Sequence, residues 1–385
     1  MKTIYVTGKV VDNTANRESL SMPSNKKNKS TRKLAASQNP VSLADVAEEA
    51  GVSKMTASRV LRGTSGFSAE TRERVLKIAN SMGYVPNRVA AAFGSETANN
   101  LVGICIPTLS RELYGQILEG LESKFSSVGF QPIVGVVGYQ DDVELAWLNS
   151  ALTWRPKGLI VAGRERTDKN RDFLQSLAIP CVEIWNLGGG KDTMRKSDPM
   201  RVGFDHYRAG VEMGEYLVDR YNGPFGYIGI QDNGVKLGTD RFAGFESVIK
   251  SSLGNNKGSA AKEASPIETV YLHDRSSFYA GYYGTEQILS ANPDLRVLYY
   301  LDDNMAVGGM MLCQQKGLKV PGDVAIAGFG GMDIGAVLPT RLTTTTAFRL
   351  RIGKMAAENL LKKINGSPVG MLTDVGTELV KGGSA

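Results

Sequence analysis

Cysteine and histidine are scarce in this 385-residue chain, and their scarcity removes whole classes of chemistry. The three cysteines, Cys105, Cys181 and Cys313, are an odd, widely spaced set, which supports neither a disulfide framework nor a metal cluster. They read as small buried hydrophobes. The two histidines, His206 and His273, have no metal-ligand spacing and no neighbouring nucleophile; both read as surface or strand-end residues. No Walker-type G-x-x-x-x-G-K-[ST] occurs. In AGFGGMDIG (327–335), Gly328 and Gly330 fit G-x-G, but Asp333 stands where the third glycine of a dinucleotide fingerprint belongs. Asp302 and Asp303 are chain neighbours, a poor arrangement for paired acid–base work. Nothing calls for a cofactor or a metal, and these gaps weigh against a nucleotide-dependent enzyme.

Long apolar runs are also missing. None approaches the ~20 residues that cross a bilayer, and the opening MKTIYVTGKVVDNTANRESL lacks the apolar stretch of a secretory signal. The expected location is the cytoplasm. The net charge of +6 is unevenly spread: residues 1–40 carry +6, residues 41–95 carry +2, and the remainder carries −2. The positive excess points that end at a polyanion. Residues 1–40, rich in Ser, Asn and Lys, read as a disordered basic extension; a start codon placed too far upstream would give the same composition.

From residue 101 apolar strand-like runs alternate with amphipathic helical stretches. The runs are 101–107, 131–137, 158–163, 180–185, 201–205, 225–230, 269–273, 297–302 and 324–329; the helices are 113–128, 206–221, 240–251, 276–290 and 303–316. This rhythm predicts parallel sheets flanked by helices. Nine strands exceed one compact unit, so two α/β subdomains with a cleft between them are expected over 101–385. Residues 254–265 read as a surface loop.

Residues 41–84 read as a small all-α head of three helices. Ser42 can cap a first helix with Leu43, Val46, Ala47 and Ala50 on one face. Gly51 supplies the positive φ of a sharp turn. Ser53 can cap a second helix, Lys54 to Leu61, packed through Val52, Ala57, Val60 and Leu61. Lys54, Met55, Thr56, Ser58 and Arg59 then face outward. In a helix-turn-helix they are placed, with Ser53, to reach base edges and phosphates in the major groove. Ser68 can cap a third helix through Val75, Ile78 and Ala79.

The run DVAEEAGVSKMTASRVLRG, followed by GYVPNRVAAAF (83–93), resembles the lactose-repressor (LacI) family of bacterial regulators. VGFD (202–205), RFAGF (241–245), DDNMAVG (302–308), GLKVPGDVAIAGF (317–329) and RLTTTT (341–346) extend the likeness to the C-terminus. SKMTASRVLR, MDIG (332–335) and the terminal GGSA are most similar to repressors of gluconate utilisation. The resemblance implies a two-lobed, periplasmic-binding-protein-like sensor, a homodimer on a pseudo-palindromic double-stranded DNA operator, and repression in the nucleoid. It also implies a hinge helix within the 85–100 connector that folds in the minor groove. There Asn87 and Arg88 lie beside DNA, and Phe93 stands where relatives carry a wedging leucine; phenylalanine is a competent wedge. The chain ends GTELVKGGSA without apolar heptads, so a dimer is expected rather than a tetramer.

Ligands of open α/β sheets bind beyond the carboxyl ends of strands. The residues there include Ser110, Arg111, Tyr114, Arg164, Arg166, Glu183, Trp185, Arg241, Arg275, Asp302, Asp303, Met332 and Asp333. Arginine forks bind carboxylate or phosphate, aspartates accept from hydroxyls, and aromatic rings stack on sugar C–H faces. The set suggests a polyhydroxy acid or phosphosugar. The resemblance singles out Arg241 and Asp303 as effector contacts and gluconate, or a phospho- or keto-sugar acid, as the effector. Asp303 could instead cap its helix. Release of DNA by effector and corepression are both open, as are another sugar and a role in activation. A periplasmic sugar-binding protein shares the architecture but would carry a signal peptide and no DNA-binding head.

Overall fold

The computed structural model describes residues 41–61, 63, 65–84, 100–109, 112–163, 166–188, 197–232, 235–254, 267–273 and 275–385. The extension 1–40, the connector residues Asn87, Arg88 and Phe93, the loop positions 255–265, and Ser110, Arg111 and Arg164 lie outside the described residues. The described chain forms two compact units, 41–84 and 100–385.

The smaller unit has helices α1 (Leu43–Glu49), α2 (Lys54–Leu61) and α3 (Ala69–Ser81). Ser42 Oγ accepts from Asp45 N (3.3 Å) while Asp45 Oδ2 accepts from Ser42 N (2.7 Å), a reciprocal capping box. The Ser42 backbone N–H, then its hydroxyl, hold the Asp45 carboxyl below its usual pKa. Gly51 adopts φ +64° and turns the chain into α2. Val46, Ala47, Ala50, Ala57, Val60, Val75 and Ala79 form the core.

In chain order the larger unit comprises β1 (Leu101–Ile106), α4 (Glu112–Ser127), β2 (Gln131–Val136), α5 (Asp141–Thr153), β3 (Gly158–Ala162), α6 (Asp168–Gln175), β4 (Cys181–Asn186) and β5 (Met200–Phe204). It continues with α7 (His206–Val218), β6 (Phe225–Asp232), β7 (Val235–Lys236), α8 (Thr239–Gly254), β8 (Ile267–Leu272), α9 (Phe278–Ala291), β9 (Val297–Tyr300), α10 (Asp303–Gln315) and β10 (Ala325–Ala327). The last elements are α11 (Asp333–Val337), β11 (Thr344–Thr346), α12 (Arg349–Ile364), β12 (Leu372–Asp374) and β13 (Glu378–Val380).

All nine expected strands are present, within a residue or two at most ends. Helices α5, α6, α11 and α12 and the short strands β7, β11, β12 and β13 were not isolated in the sequence.

The first lobe is a parallel sheet in the order β12-β5-β4-β3-β1-β2. The second has β10-β9-β6-β8 in parallel, with β7 antiparallel on β6. Both faces of each sheet are covered by apolar clusters, so β3 (GLIVA) is buried throughout. The chain crosses between lobes at Asp205, near Ala347–Phe348, and between β12 and β13. Phe348 is left-handed there (φ 37°, ψ 47°), a conformation that costs a non-glycine residue about 1–3 kcal/mol.

Three helix pairs cross at near backbone contact through reciprocal glycines. A Cβ on Gly120 of α4 would lie 2.4 Å from the Leu350 carbonyl, and one on Gly353 of α12 would lie 2.1 Å from that of Ile117. Gly210 of α7 faces the Arg241 carbonyl (1.9 Å) and Gly244 of α8 that of Tyr207 (2.0 Å); Gly281 of α9 and Gly308 of α10 repeat the arrangement. No described helix is long and apolar enough to cross a membrane.

Candidate functional site

Helix α2 presents a polar outer face. Ser53 Oγ accepts from Thr56 N (3.1 Å) and shares a hydrogen bond with its hydroxyl (2.9 Å), so both residues shape the helix start. Lys54 and Met55 project from the first turn, Met55 with 73% of its surface exposed. Thr56 and Ser58 are half-buried. Arg59 Nη2 donates to the Ser65 carbonyl (2.5 Å), folding the guanidinium against the turn before α3. An outward set of donors at a helix N-terminus can meet phosphates and base edges together.

In the larger unit a cavity opens where the carboxyl ends of both sheets face one another. Tyr114, Trp185, Asn186 and His206 line it from the first-lobe strand ends and the crossover, and Lys236, Asp240 and Arg241 from the second lobe. Arg241, in the first turn of α8, is 2% exposed. Its Nη2 donates to the Leu301 carbonyl (2.5 Å), and its Cζ lies 3.7 Å from the Phe329 ring centroid. Arg241 Nε and the Tyr299 hydroxyl make no hydrogen bond of regular geometry, though the guanidinium lies close enough to the phenol to interact with it. Burial keeps Tyr299 a neutral phenol. Trp185, Phe204, His206 and Phe329 form one aromatic cluster along the cleft. Trp185 has φ 90°, backbone strain held at the edge of the cavity.

A helix-turn-helix beside a two-lobed sensor agrees with what known proteins share with this chain. Residues 42–87 match the family described as bacterial regulatory proteins, lacI family, and residues 215–385 a periplasmic binding protein-like domain. The HTH-type transcriptional regulator GntR of Escherichia coli K12 is 32% identical over 89% of this chain and 98% of its own length. The chain belongs to the lacI family. A LacI-family regulator from Silicibacter pomeroyi matches in structure with a TM-score of 0.77 at 33% identity, covering 90% of this chain and 99% of that one. The lac repressor dimer bound to operator and the anti-inducer ONPF shares the fold, with a TM-score of 0.70 at 23% identity over 90% of this chain and 99% of its own. The regulator is therefore a DNA-binding transcription regulator and not an enzyme.

The structure gathers some of the regulator's expected cleft residues and sends others elsewhere. Tyr114 and Arg241 line the cavity, as does Trp185. Glu183 does not: it is buried in β4, paired with Arg166 and, at 3.1 Å, with Arg201. Arg166 also grips Glu144 with both Nε and Nη2 (2.9 Å each). Burial opposes the Arg166 charge, but Glu183 and Glu144 outweigh it and hold its pKa above the usual value. A carboxylate turned into a sheet interior must be paired there, and that need takes Glu183 and Arg166 from the cleft. Arg275 is exposed and outside the cavity lining. Asp302 and Asp303 divide the work expected of one residue. Asp302 caps α10 through Met305 N (3.2 Å). Asp303, fully buried, accepts from Met332 N (2.7 Å) and Thr344 Oγ1 (2.6 Å) and does not line the cavity.

Asp333 is likewise exposed on α11, away from the cavity. His206 stands at a strand end as read, but at 6% exposure it is buried and not on the surface. Asn186, Lys236 and Asp240 had no motif to announce them; Asn186 Nδ2 donates to Asp240 Oδ2 (3.2 Å) across the cleft. The three cysteines are buried thiols; burial raises Cys313 to about 11.

Proposed function

We propose that the regulator represses transcription as a homodimer on a pseudo-palindromic operator, and that a small sugar acid, gluconate or a phospho- or keto-relative, controls its grip from the interlobe cleft. The reading rests on Arg241. A guanidinium withdrawn from water costs several kcal/mol unless an anion or strong acceptors answer it. Here one carbonyl, one ring and the neighbouring neutral Tyr299 hydroxyl answer it, with no carboxylate among these partners and no regular hydrogen bond on Nε. A carboxylate suits a fork of N–H donors. Asp240 and Asn186 are placed to meet hydroxyls, and the Trp185 and Tyr114 rings to cover a C–H face. The likeness to repressors of gluconate utilisation supports the choice of acid.

Lys54 and Met55 open the helix that reads the operator, and two-fold symmetry asks for matching half-sites. An exposed aromatic face supports self-association. Phe278, Tyr279 and Tyr283 of α9 and Met311 of α10 are 43%, 66%, 40% and 49% exposed, and aromatic residues and methionine are enriched at protein interfaces.

Footprinting of the operator with and without gluconate, beside calorimetry of wild type and Arg241→Met, tests this reading. We expect gluconate to shift operator affinity about 5- to 150-fold, with protection showing the sign. Arg241→Met should bind gluconate about 100-fold more weakly yet still protect the operator. No heat from gluconate, its phosphate or its keto-acids would remove the sugar-acid assignment.

A further inference from the structure

The loop Phe329–Met332 leaves β10 and runs between the lobes. At one end it carries the ring on which Arg241 lies. Its middle is gripped from the other lobe. Arg349, in the first turn of α12 and 5% exposed, donates through Nη1 to the Gly330 carbonyl (2.7 Å) and through Nη2 to that of Gly331 (3.4 Å). Its Nε donates to Gln116 Oε1 on α4 (3.1 Å), and α4 and α12 are locked by the Gly120–Gly353 crossing. Gly330 and Gly331 sit at φ +132° and +66°, conformations in which glycine is under no steric strain. In the second lobe Asp303 N donates to the Phe329 carbonyl (3.0 Å), Gly330 N to the Thr345 carbonyl (2.8 Å), Gly331 N to Thr344 Oγ1 (3.4 Å) and Met332 N to Asp303 Oδ2 (2.7 Å). One unbroken set of contacts thus joins the cleft guanidinium to the first-lobe helices.

We propose that Arg349 is a positioning residue: by holding the Gly330 and Gly331 carbonyls it fixes Phe329 under Arg241 and ties what Arg241 binds to the first lobe. The link to ligand rests on the sugar-acid reading of the cleft; the positioning does not. Without the grip, the loop is held from the second lobe alone, its Gly330–Gly331 segment loosens, the Phe329 ring turns from the guanidinium and the cleft loses its preset donor.

Hydrogen exchange of the full chain without ligand tests the positioning directly. In Arg349→Met, amides of 329–332 should exchange about ten-fold faster while the α4–α12 crossing stays protected. Trp185 emission, isolated against a Trp185→Phe blank, should shift as Phe329 moves. Arg349→Lys, which keeps the charge and can reach one carbonyl, should be intermediate, and it serves alone if the methionine variant does not fold. Unchanged exchange at 329–332, or loss of protection spread evenly over the first lobe, overturns the proposal. In a separate arm, calorimetry with gluconate should show about ten-fold weaker binding to Arg349→Met, and equal binding overturns the link to ligand. If wild type takes up no gluconate, the sugar-acid reading and that link fall together, and the exchange result still decides the positioning.

Discussion

Asp303, which the family resemblance marks as an effector contact, is tied closely into its own lobe. Its position after a strand suggests a ligand contact, but both carboxylate oxygens are spent inside the second lobe. Burial is the dominant influence and raises its pKa to about 6, against the opposing pull of the Thr344 hydroxyl and Met332 N–H. The folded protein therefore binds a proton more tightly than the unfolded chain, whose value is 3.8. The favourable contribution is complete below the unfolded value and is lost as pH rises through the folded one, a swing of about 3 kcal/mol at most. Asn can accept from Met332 N and donate to Thr344 Oγ1, so Asp303→Asn should fold. Urea midpoints from about pH 4 to about pH 6 should fall for wild type relative to the variant. Parallel profiles would show that folding does not raise the pKa of this carboxyl. On the sugar-acid reading, gluconate affinity should change little, since the side chain does not line the cavity.

Among the elements, the crossing of α7 and α8 sets the site. Gly210 lies against the carbonyl of Arg241 itself, so the backbone of the cleft arginine is placed by a glycine on another helix. Replacing a helical glycine by alanine ordinarily gains up to about 1 kcal/mol. In Gly210→Ala the new Cβ would stand 1.9 Å from that carbonyl, and the helices must part. We expect a net loss of about 1–3 kcal/mol in urea unfolding and, on the sugar-acid reading, weaker gluconate binding. Gly353→Ala strains the first lobe in the same way (2.1 Å to the Ile117 carbonyl) and should cost stability with less effect on the ligand. Equal loss of binding in both variants would mean that the effect is general destabilisation. The sequence hinted at none of these pairings, because a glycine that permits a helix crossing and one that ends a helix look alike on paper.

For the whole molecule, the proposed homodimer requires a face that a second copy can cover. Tyr279 and Tyr283 stack edge-on, with ring centroids 4.5 Å apart and hydroxyls at 2.7 Å, a rigid aromatic pair left open to solvent. Tyr279→Asp would place a charge at the centre of that face. Sedimentation should then show a shift toward monomer, with operator affinity falling by about ten-fold or more as the second half-site contact is lost. A variant that stays fully associated would place the interface elsewhere.

Residue identity was enough to place the elements whose signals are local. Ser42, Ser53 and Ser68 cap because their hydroxyls reach backbone N–H groups three residues on, and Gly51 turns because it tolerates positive φ. The apolar runs became strands because both sheet faces are covered. Tertiary structure alone decided which polar side chains met. Glu183 and Arg166 were drawn into a buried ion network, Asp303 into a brace, and Arg241 onto Phe329, 88 residues away in the chain. Burial sets the cost of leaving a charge unanswered, and only the folded arrangement determines which partner is near enough to answer it.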